Sequence, residues 1–282
     1  PVLPTSNLDI HDQNKNYDIY PIETAIRRPN FQFVPGIVLS NVMSITPKID
    51  EIRSVVLDQK IYIAAFTETW LRDSIQDTII DIPGYQIYRR DRSGGLHGGV
   101  CTYVRDGIRT TILNDLHCPT FEVLWIKLRP KRLPRGIPSI IVGTIYHPPS
   151  SDNQAMINYL IETLTSIEAN NPNCGIIVMG DLNRLNTSYI NRQFKLKQLV
   201  KFSTRGRRTL DVILTNLSQF YNQPEKLPPF GLSDHFTIKV LPMIRPKRSN
   251  NIKTLRTKTR VKAIKWHLVE FYLALTGLVY II

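Results

Sequence analysis

Residues 175–183 have the sequence Gly-Ile-Ile-Val-Met-Gly-Asp-Leu-Asn. The apolar run Gly175–Met179 predicts a strand that is buried on both faces. Asp181 and Asn183 follow the run and are spaced two residues apart, so both side chains point to the same side of an extended chain. Because layered α/β proteins present reactive side chains at strand ends, this stretch predicts a buried strand that positions functional residues.

Similar apolar runs occur throughout the middle of the chain. We predict further strands at residues 36–41, 61–66, 100–104, 121–128, 139–146, 210–215 and 236–241. Pro47 favours the start of a helix, and apolar residues at helical spacing predict a second helix over Gln154–Ala169. Strands outnumber helices and many are apolar on both faces, which predicts two packed β-sheets with helices outside them.

Polar side chains lie at or beside the ends of several of these runs. They are Asn41, Glu68, Tyr146, Asp181 with Asn183, and Asp234 with His235, whereas Asp211 lies near the beginning of its run. Each residue taken alone is also typical of a cap or a turn. Their repeated placement at strand ends nevertheless favours a single site at one edge of the sheets.

The composition indicates a globular and basic protein. The chain has 282 residues, of which 42% are hydrophobic, and this share excludes disorder throughout. The formal charge of +13 is concentrated at the end of the chain, because residues 245–282 contain nine Lys or Arg and one acid, Glu270. A basic excess of this kind favours an acidic partner, most often a nucleic acid.

The same patterns predict three parts of the chain. We expect a polar leader at 1–34 that need not be ordered, one domain at 35–243, and a basic tail at 244–282 with a short apolar end. That apolar end is shorter than the roughly 20 residues of a membrane span, so we expect no membrane association. The three cysteines have no zinc spacing and are odd in number, which favours a reducing, intracellular compartment. Both ends of the sequence suggest a fragment of a longer polypeptide.

Six short motifs occur in one order along residues 36–241. They are Leu39-Ser-Asn41-Val, Thr67-Glu68-Thr-Trp, Ile145-Tyr146-His-Pro-Pro, Gly180-Asp181-Leu-Asn183, Leu210-Asp211 and Ser233-Asp234-His235. In this order the chain resembles the endonuclease/exonuclease/phosphatase superfamily, which includes exonuclease III and deoxyribonuclease-I-like enzymes. The connecting sequence is most similar to the apurinic-type endonuclease domain of LINE-like non-LTR retrotransposons. The resemblance implies a four-layer αββα sandwich, in which two mixed sheets pack together between helices.

Phosphodiester hydrolysis needs a neutralised phosphate, an oriented water and a stabilised leaving oxygen. The resemblance implies that Glu68 binds Mg²⁺, with Mn²⁺ as an alternative, and that Asn41 and Asp234 lie on the metal side. It also implies that Asp181 orients or deprotonates the attacking water and that Asn183 donates a hydrogen bond to the phosphate.

The remaining roles come from the same resemblance. His235 is expected to contact a phosphate oxygen with Asp211 as its supporting carboxylate, and Tyr146 is expected to contact the phosphate or leaving group. Thr204 and Ser233 are weaker candidates for substrate binding, because hydroxyls are frequent in such loops. His97, His117 and His147 have no partner that the sequence identifies, so we interpret them as structural or exposed.

One departure from the family pattern concerns the number of metal ions. Met43 lies two residues after Asn41, where exonuclease-III-type relatives often have Asp. A thioether is a poor ligand for Mg²⁺, so this position favours one ion and leaves the count open.

Two basic segments fit a DNA substrate. Arg89, Arg90 and Arg92 are predicted to share one loop, and Arg192–Arg208, which includes Arg205, contains seven Lys or Arg and no acid. Both segments are candidates for phosphate contacts on either side of a cleft. A solvated basic face is the alternative interpretation of each.

The sequence therefore predicts a metal-dependent endonuclease that nicks DNA and leaves a 3′-hydroxyl. By resemblance, that hydroxyl primes reverse transcription in the nucleus, and the chain belongs to a polyprotein with a reverse transcriptase. One alternative is a superfamily phosphatase or phospholipase acting on inositol phosphate or sphingolipid. Another is a decayed copy that binds nucleic acid without cutting it.

Overall fold

The computed structural model describes residues 34–243 except Lys60 and Leu96. The predicted leader and tail lie outside these residues, apart from Val34, which is buried in the core. The strands of the described part are β1 Ile37–Asn41, β2 Ile63–Thr67, β3 Tyr85–Arg90, β4 Val100–Arg105, β5 Arg109–Ile112, β6 Glu122–Arg129, β7 Ile140–Tyr146, β8 Gly175–Asp181, β9 Lys197–Gln198, β10 Asp211–Thr215, β11 Glu225–Leu227 and β12 Thr237–Val240.

Three α-helices lie among the described residues. They are α1 Ile49–Asp58, α2 Asn153–Asn170 and α3 Ser188–Gln193. Pro47 lies in a 3₁₀ turn, Thr46–Lys48, directly before α1. Asp152 caps α2, because its side chain accepts hydrogen bonds from the backbone nitrogens of Gln154 and Ala155. In the described residues we find no helix that is both long and apolar enough to cross a membrane.

The strands form two mixed six-stranded sheets. Sheet I has the order β11-β12-β1-β2-β4-β3, and sheet II has the order β5-β6-β7-β8-β10-β9. Each sheet contains one parallel pair, β1 with β2 and β7 with β8, and the other pairs are antiparallel. Because β1 and β2 are parallel, their carboxyl ends lie at the same edge of sheet I, and the carboxyl ends of β7 and β8 likewise lie at one edge of sheet II. The polar motifs occur at these strand ends.

Three apolar clusters show how the layers stack. Inward-facing residues of both sheets, such as Leu39 and Ile177, pack together in the first cluster. The second cluster joins sheet II to residues of α2 and α3, and the third joins sheet I to residues of α1. The order helix, sheet, sheet, helix confirms the predicted αββα sandwich.

Strand periodicity decides which polar residues enter the space between the sheets. Side chains alternate faces along a strand, so every second residue points the same way. In β1, Ile37 and Leu39 lie in the core between the sheets, and Asn41 continues that series. In β8, Ile177 and Met179 lie in the same core and Asp181 continues theirs. The sandwich therefore ends in polar side chains that face each other across the gap.

The structure corrects two parts of the sequence interpretation. Strands β3, β5, β9 and β11 and the short helix α3 were not predicted, because these elements are short or partly exposed and lack a continuous apolar run. Arg89 and Arg90 belong to β3 and not to a loop. Only Arg92 of that group lies beyond the end of the strand.

Candidate active site

Three predicted site residues lie side by side in sheet II. Tyr146 of β7 is in register with Asp181 of β8, and Asp181 is in register with Asp211 of β10. All three are buried or nearly so. Register alone thus collects three groups that are separated by up to 65 positions in the sequence.

Asn41 joins this row to sheet I. Its Nδ2 donates hydrogen bonds to Oδ2 of Asp181 at 2.9 Å and to Oε1 of Glu68 at 3.0 Å. Its Oδ1 accepts a hydrogen bond from the backbone nitrogen of Met43 at 3.3 Å, which fixes the orientation of the amide. Asn41 is fully buried, so this amide holds two carboxylates at a defined separation.

Glu68 directly follows β2 in a left-handed backbone conformation with φ 51°. Its carboxylate accepts hydrogen bonds from Asn41, from the Tyr146 hydroxyl at 2.9 Å and from Nε1 of Trp70 at 3.3 Å. All three donors are uncharged, so they orient the carboxylate without neutralising it. An oriented, charged carboxylate that is partly open to solvent fits a hard divalent cation, which prefers oxygen ligands and retains most of its water.

His235 is held by Asp211, the strand neighbour of Asp181. Nδ1 of His235 donates to Oδ2 of Asp211 at 2.7 Å, and its Nε2 lies 3.9 Å from Oδ2 of Asp181. Burial lowers the pKa of His235, but the hydrogen bond and negative charge of Asp211 outweigh it, so the pKa is raised. The histidine is therefore biased toward its charged form, and Nε2 is the nitrogen left to face a substrate.

Asp181 has a perturbed acidity. Burial, followed by the negative charge of Asp211, raises the pKa of Asp181 to about 6, although His235 and Asn41 oppose the increase. A carboxylate with a pKa near neutrality is suited to accept a proton from water.

A second place for a cation lies among these groups. Ligand atoms of Asp181, Asp211 and His235 are within 4.8 Å of one another, and Oδ1 of Asp211 is buried without a hydrogen-bond partner among the described residues. However, the Asp211–His235 contact is already a hydrogen bond, and imidazole suits transition metals better than Mg²⁺. Glu68 therefore fits a hard cation better than this cluster does.

Thr204 and Ser233 support the site from behind. Oγ1 of Thr204 accepts from the backbone nitrogens of Leu210 and Asp211 at 3.0 and 3.1 Å. Oγ of Ser233 donates to the carbonyl of Asn41 at 2.7 Å and accepts from the backbone nitrogen of His235 at 3.2 Å. Both residues are buried, so these hydroxyls position neighbouring site residues.

Asp234 and Arg205 form an ion pair at the exposed rim, although Asp234 is predicted on the metal side and Arg205 at a phosphate. Nε of Arg205 donates to Oδ2 of Asp234 at 2.7 Å, and the two side chains are 46% and 49% exposed. Oδ1 of Asp234 lies 3.8 Å from Nε2 of His235. An exposed ion pair contributes at most about 1 kcal/mol, so this pair does not prevent either group from binding a ligand.

Arg89 is not available to a phosphate. Its guanidinium donates to Asp91, to Asp77 and to the carbonyls of Ile75 and Arg72, so its five N–H donors are used within the protein. Arg90 contacts His117 and the carbonyl of Cys118. Arg89 therefore joins segments of the fold.

Three further residues shape the site without having been predicted to do so. The backbone nitrogen of His147 donates to the carbonyl of Asp181 at 2.9 Å, and its carbonyl accepts from Nδ2 of Asn183 at 2.9 Å. Trp70 binds Glu68, and Gly180 has φ 145° beside the backbone of β7. All three residues lie inside or next to the sequence motifs, and this placement is the signal that could have identified them.

Comparisons with known proteins bear on the family and the fold of the chain. The family model for the endonuclease/exonuclease/phosphatase family matches residues 39–235. No curated protein matches the sequence.

Several solved structures share the fold at low sequence identity. The AP endonuclease LMAP from Leishmania major has a TM-score of 0.61 and 15% identity, over 75% of this chain and 88% of that one. The endonuclease domain of TRAS1, a telomere-specific non-LTR retrotransposon, has a TM-score of 0.57 and 15% identity, over 76% and 100%. The mannosyl-6-phosphatase Bt3783 from Bacteroides thetaiotaomicron has a TM-score of 0.51 and 14% identity, over 74% and 100%. Because the family model covers most of the chain and the fold agrees, the protein belongs to the endonuclease/exonuclease/phosphatase family.

Proposed function

We propose that this protein is a divalent-metal-dependent DNA endonuclease that hydrolyses one phosphodiester bond and leaves a 3′-hydroxyl. The observation that supports this most directly is the network in which Asn41 links Glu68 to Asp181 while Asp211 holds His235. In this network a candidate cation ligand, a carboxylate of raised pKa and a histidine with a raised pKa surround one gap between the sheets, and this arrangement supports the proposal.

Each group has a chemical task in this proposal. Glu68 would hold Mg²⁺, or Mn²⁺, with Asn41 and Asp234 on the metal side, and a cation bound there would supply charge neutralisation at the phosphate. Asp181 orients a water molecule and accepts its proton, since its pKa is about 6. His235 donates from Nε2 to a phosphate oxygen, and the hydroxyl of Tyr146 stands near the phosphate or the leaving oxygen. Asn183 has its amide bonded to the carbonyl of His147, which keeps it beside Asp181.

DNA is the substrate that the charge and shape support. Residues 34–243 contain 24 Lys or Arg and 18 Asp or Glu, so the domain is basic without the tail. A cleft of about 350 Å³ adjoins Tyr146, and its lining includes Arg90, Ser93 and Ser151. Such polar and cationic walls suit a phosphodiester backbone. Arg205 stands at the rim for a further phosphate contact.

The biological setting follows by similarity to the TRAS1 domain. A 3′-hydroxyl at a nick is the group that a polymerase extends, so the proposed reaction supplies a primer for reverse transcription. We place the protein in the nucleus, as part of a polyprotein with a reverse transcriptase. The basic residues of 245–282 fit added affinity for DNA.

The test is incubation of the purified protein with supercoiled plasmid and Mg²⁺. We expect open circles that a DNA polymerase extends directly, loss of nicking in EDTA, and loss in Glu68→Gln. Glu162→Gln, an exposed glutamate on α2, is the matched control and should nick normally. Nicking that persists in EDTA or in Glu68→Gln would refute the metal role of Glu68.

A phosphatase is the second candidate, favoured by the likeness to Bt3783. The same preparation should be assayed on inositol phosphates, a sugar 6-phosphate and sphingomyelin. Faster turnover on one of these than on plasmid would transfer the proposal to that substrate class. Binding of DNA without any cleavage would identify a non-cutting copy.

A further inference from the structure

The guanidinium of Arg92 is bound by partners within the protein, which distinguishes Arg92 from an arginine that contacts phosphate. Its guanidinium lies over the ring of Tyr146, with Cζ 5.7 Å from the ring centroid. Its Nε donates to Oε1 of Glu122 at 2.7 Å, and a terminal nitrogen bonds the same oxygen. The other oxygen of Glu122 accepts from the backbone nitrogen of Gly99. Arg92 is therefore held at two sides, by a carboxylate and by an aromatic ring.

The register of sheet II explains why Glu122 can place Arg92 over this ring. Glu122 of β6 is directly opposite Tyr146 of β7 in the antiparallel pair. Side chains at opposite positions project to the same face of a sheet and contact each other. An arginine bound to Glu122 consequently stands beside the tyrosine ring.

Gly98 allows this close approach. A Cβ at this position would lie 2.5 Å from Cζ of Arg92 and from Oε2 of Glu122, so a side chain there would displace the ion pair. The backbone carbonyl of Gly98 also accepts from the nitrogen of Trp70, and Trp70 in turn binds Glu68. The segment that accommodates Arg92 is thus connected to the proposed metal ligand.

The environment of the contact strengthens it. The side chains of Arg92 and Glu122 are 30% and 13% exposed. Cation–π attraction increases when the cation is partly removed from water. The hydroxyl of Tyr146 donates to Oε1 of Glu68 at 2.9 Å, so any tilt of the ring moves that hydroxyl away from Glu68.

We propose that Arg92, anchored by Glu122, is a positioning residue that holds the Tyr146 hydroxyl in place at the reacting phosphate. The inference rests on the proposed function, because it assigns Arg92 to the geometry of that site. It also separates Arg92 from the arginines that bind DNA. Arg92 acts on the rate of the chemical step through Tyr146 and not on the affinity for the DNA backbone.

A second arginine offers a matched control. Cζ of Arg105 lies 5.3 Å from the ring centroid of Tyr62, which is a similar stacking contact. Arg105 is the last residue of β4, whereas the site lies beyond Val100 at the other end of the strand. Removing the Arg105 contact should disturb Tyr62 and leave the site unchanged.

The kinetic test compares Arg92→Met, Glu122→Gln and Arg105→Met in plasmid nicking. We expect Arg92→Met to lower kcat by about 10- to 100-fold, the scale of a group displaced by up to 1 Å, with KM changed less than about twofold. Glu122→Gln should lower kcat in the same direction, and Arg105→Met should not. In a Tyr146→Phe background, Arg92→Met should cost less than about twofold.

The salt dependence of DNA binding distinguishes positioning from phosphate contact. Loss of one phosphate contact reduces the slope of log affinity against log salt by about 0.9. We expect an unchanged slope for Arg92→Met. A reduced slope with unchanged kcat, or an undiminished loss of rate in the Tyr146→Phe background, would overturn the proposal.

A measurement on the protein without DNA tests the positioning of Tyr146 independently of catalysis. In protein labelled with ¹³C at tyrosine Cζ, the Tyr146 signal is assigned by its disappearance in Tyr146→Phe. Arg92→Met should shift or broaden that signal and leave the Tyr62 signal in place, and Arg105→Met should do the reverse. An unmoved Tyr146 signal in a folded Arg92→Met protein would refute positioning. If wild-type protein does not nick DNA, the proposed function fails while this spectrum still tests the contact.

Discussion

Asp181→Asn should make the metal-free protein increasingly stable, relative to wild type, as the pH rises. Burial and then the charge of Asp211 raise the pKa of Asp181 from 3.8 to about 6. The native state therefore binds this proton more tightly than the unfolded chain does. Consequently the wild type loses stability as the pH rises through this range, and the asparagine variant does not.

The expected magnitude follows from the size of the shift. A change from 3.8 to about 6 corresponds to about 3 kcal/mol in total, of which about 1.3 kcal/mol falls between about pH 5 and pH 7.5. The raised pKa of His235, to which Asp181 contributes, acts in the same direction, because that stabilisation is also lost with rising pH. Asparagine has one acceptor oxygen where Asp181 uses two, for Asn41 and for Asn183, so one hydrogen bond worth about 1 kcal/mol is lost at every pH.

The assay is urea unfolding in EDTA at several pH values, followed by tryptophan fluorescence. The quantity of interest is the difference in unfolding free energy between variant and wild type, which should increase by about 1 kcal/mol or more from pH 5 to pH 7.5. Asp73→Asn removes one exposed carboxylate and controls for the change in net charge. A difference that stays constant or falls with pH would refute the account of Asp181. The same variant should not nick DNA, since it lacks the proposed proton acceptor.

Three further predictions concern the site and its support. Asp211→Asn and His235→Ala should each lower the nicking rate by about a hundredfold. The double variant should be little worse than the poorer single one, because the two residues act as a unit. Fully multiplicative losses would contradict this expectation. Gly180→Ala should reduce the unfolding free energy by several kcal/mol, on the order of 3, because its Cβ would overlap a carbonyl of β7. Gly136→Ala meets open space and should cost only the about 1 to 2 kcal/mol that a side chain costs at its positive φ of 88°. Arg89→Met should lower stability in urea unfolding without changing the salt slope of DNA binding; a reduced slope would show that Arg89 contacts phosphate.

The strands that surround the site could be predicted from local sequence. Runs such as Gly175–Met179 are apolar at every position because both faces are covered, and this signal needs no knowledge of the partner strands. The two long helices were predicted for the same kind of reason, since helical spacing is local. Edge strands such as β3 and β11 carry mixed polar residues because one face meets solvent, so no run marked them.

The residues of the site could be named from strand ends and from the family motifs, but their contacts could not. Asp211 and His235 are 24 positions apart, and only the pairing of β10 with β8 and the path into β12 bring them to 2.7 Å. Arg89, Arg90 and Arg92 illustrate the same limit. They are near neighbours in sequence. Arg89 nevertheless donates its hydrogen bonds to loop carbonyls and aspartates, whereas Arg92 lies over the ring of Tyr146.

The sequence by itself determined the class of fold, the identity of the polar groups at strand ends and the basic character of the chain, because composition and periodicity are properties of neighbouring residues. Only the tertiary structure decided which carboxylates share one amide, which arginines retain free donors and why the pKa of Asp181 is raised. Those outcomes depend on burial and on register between strands, which bring together charges that are distant along the chain.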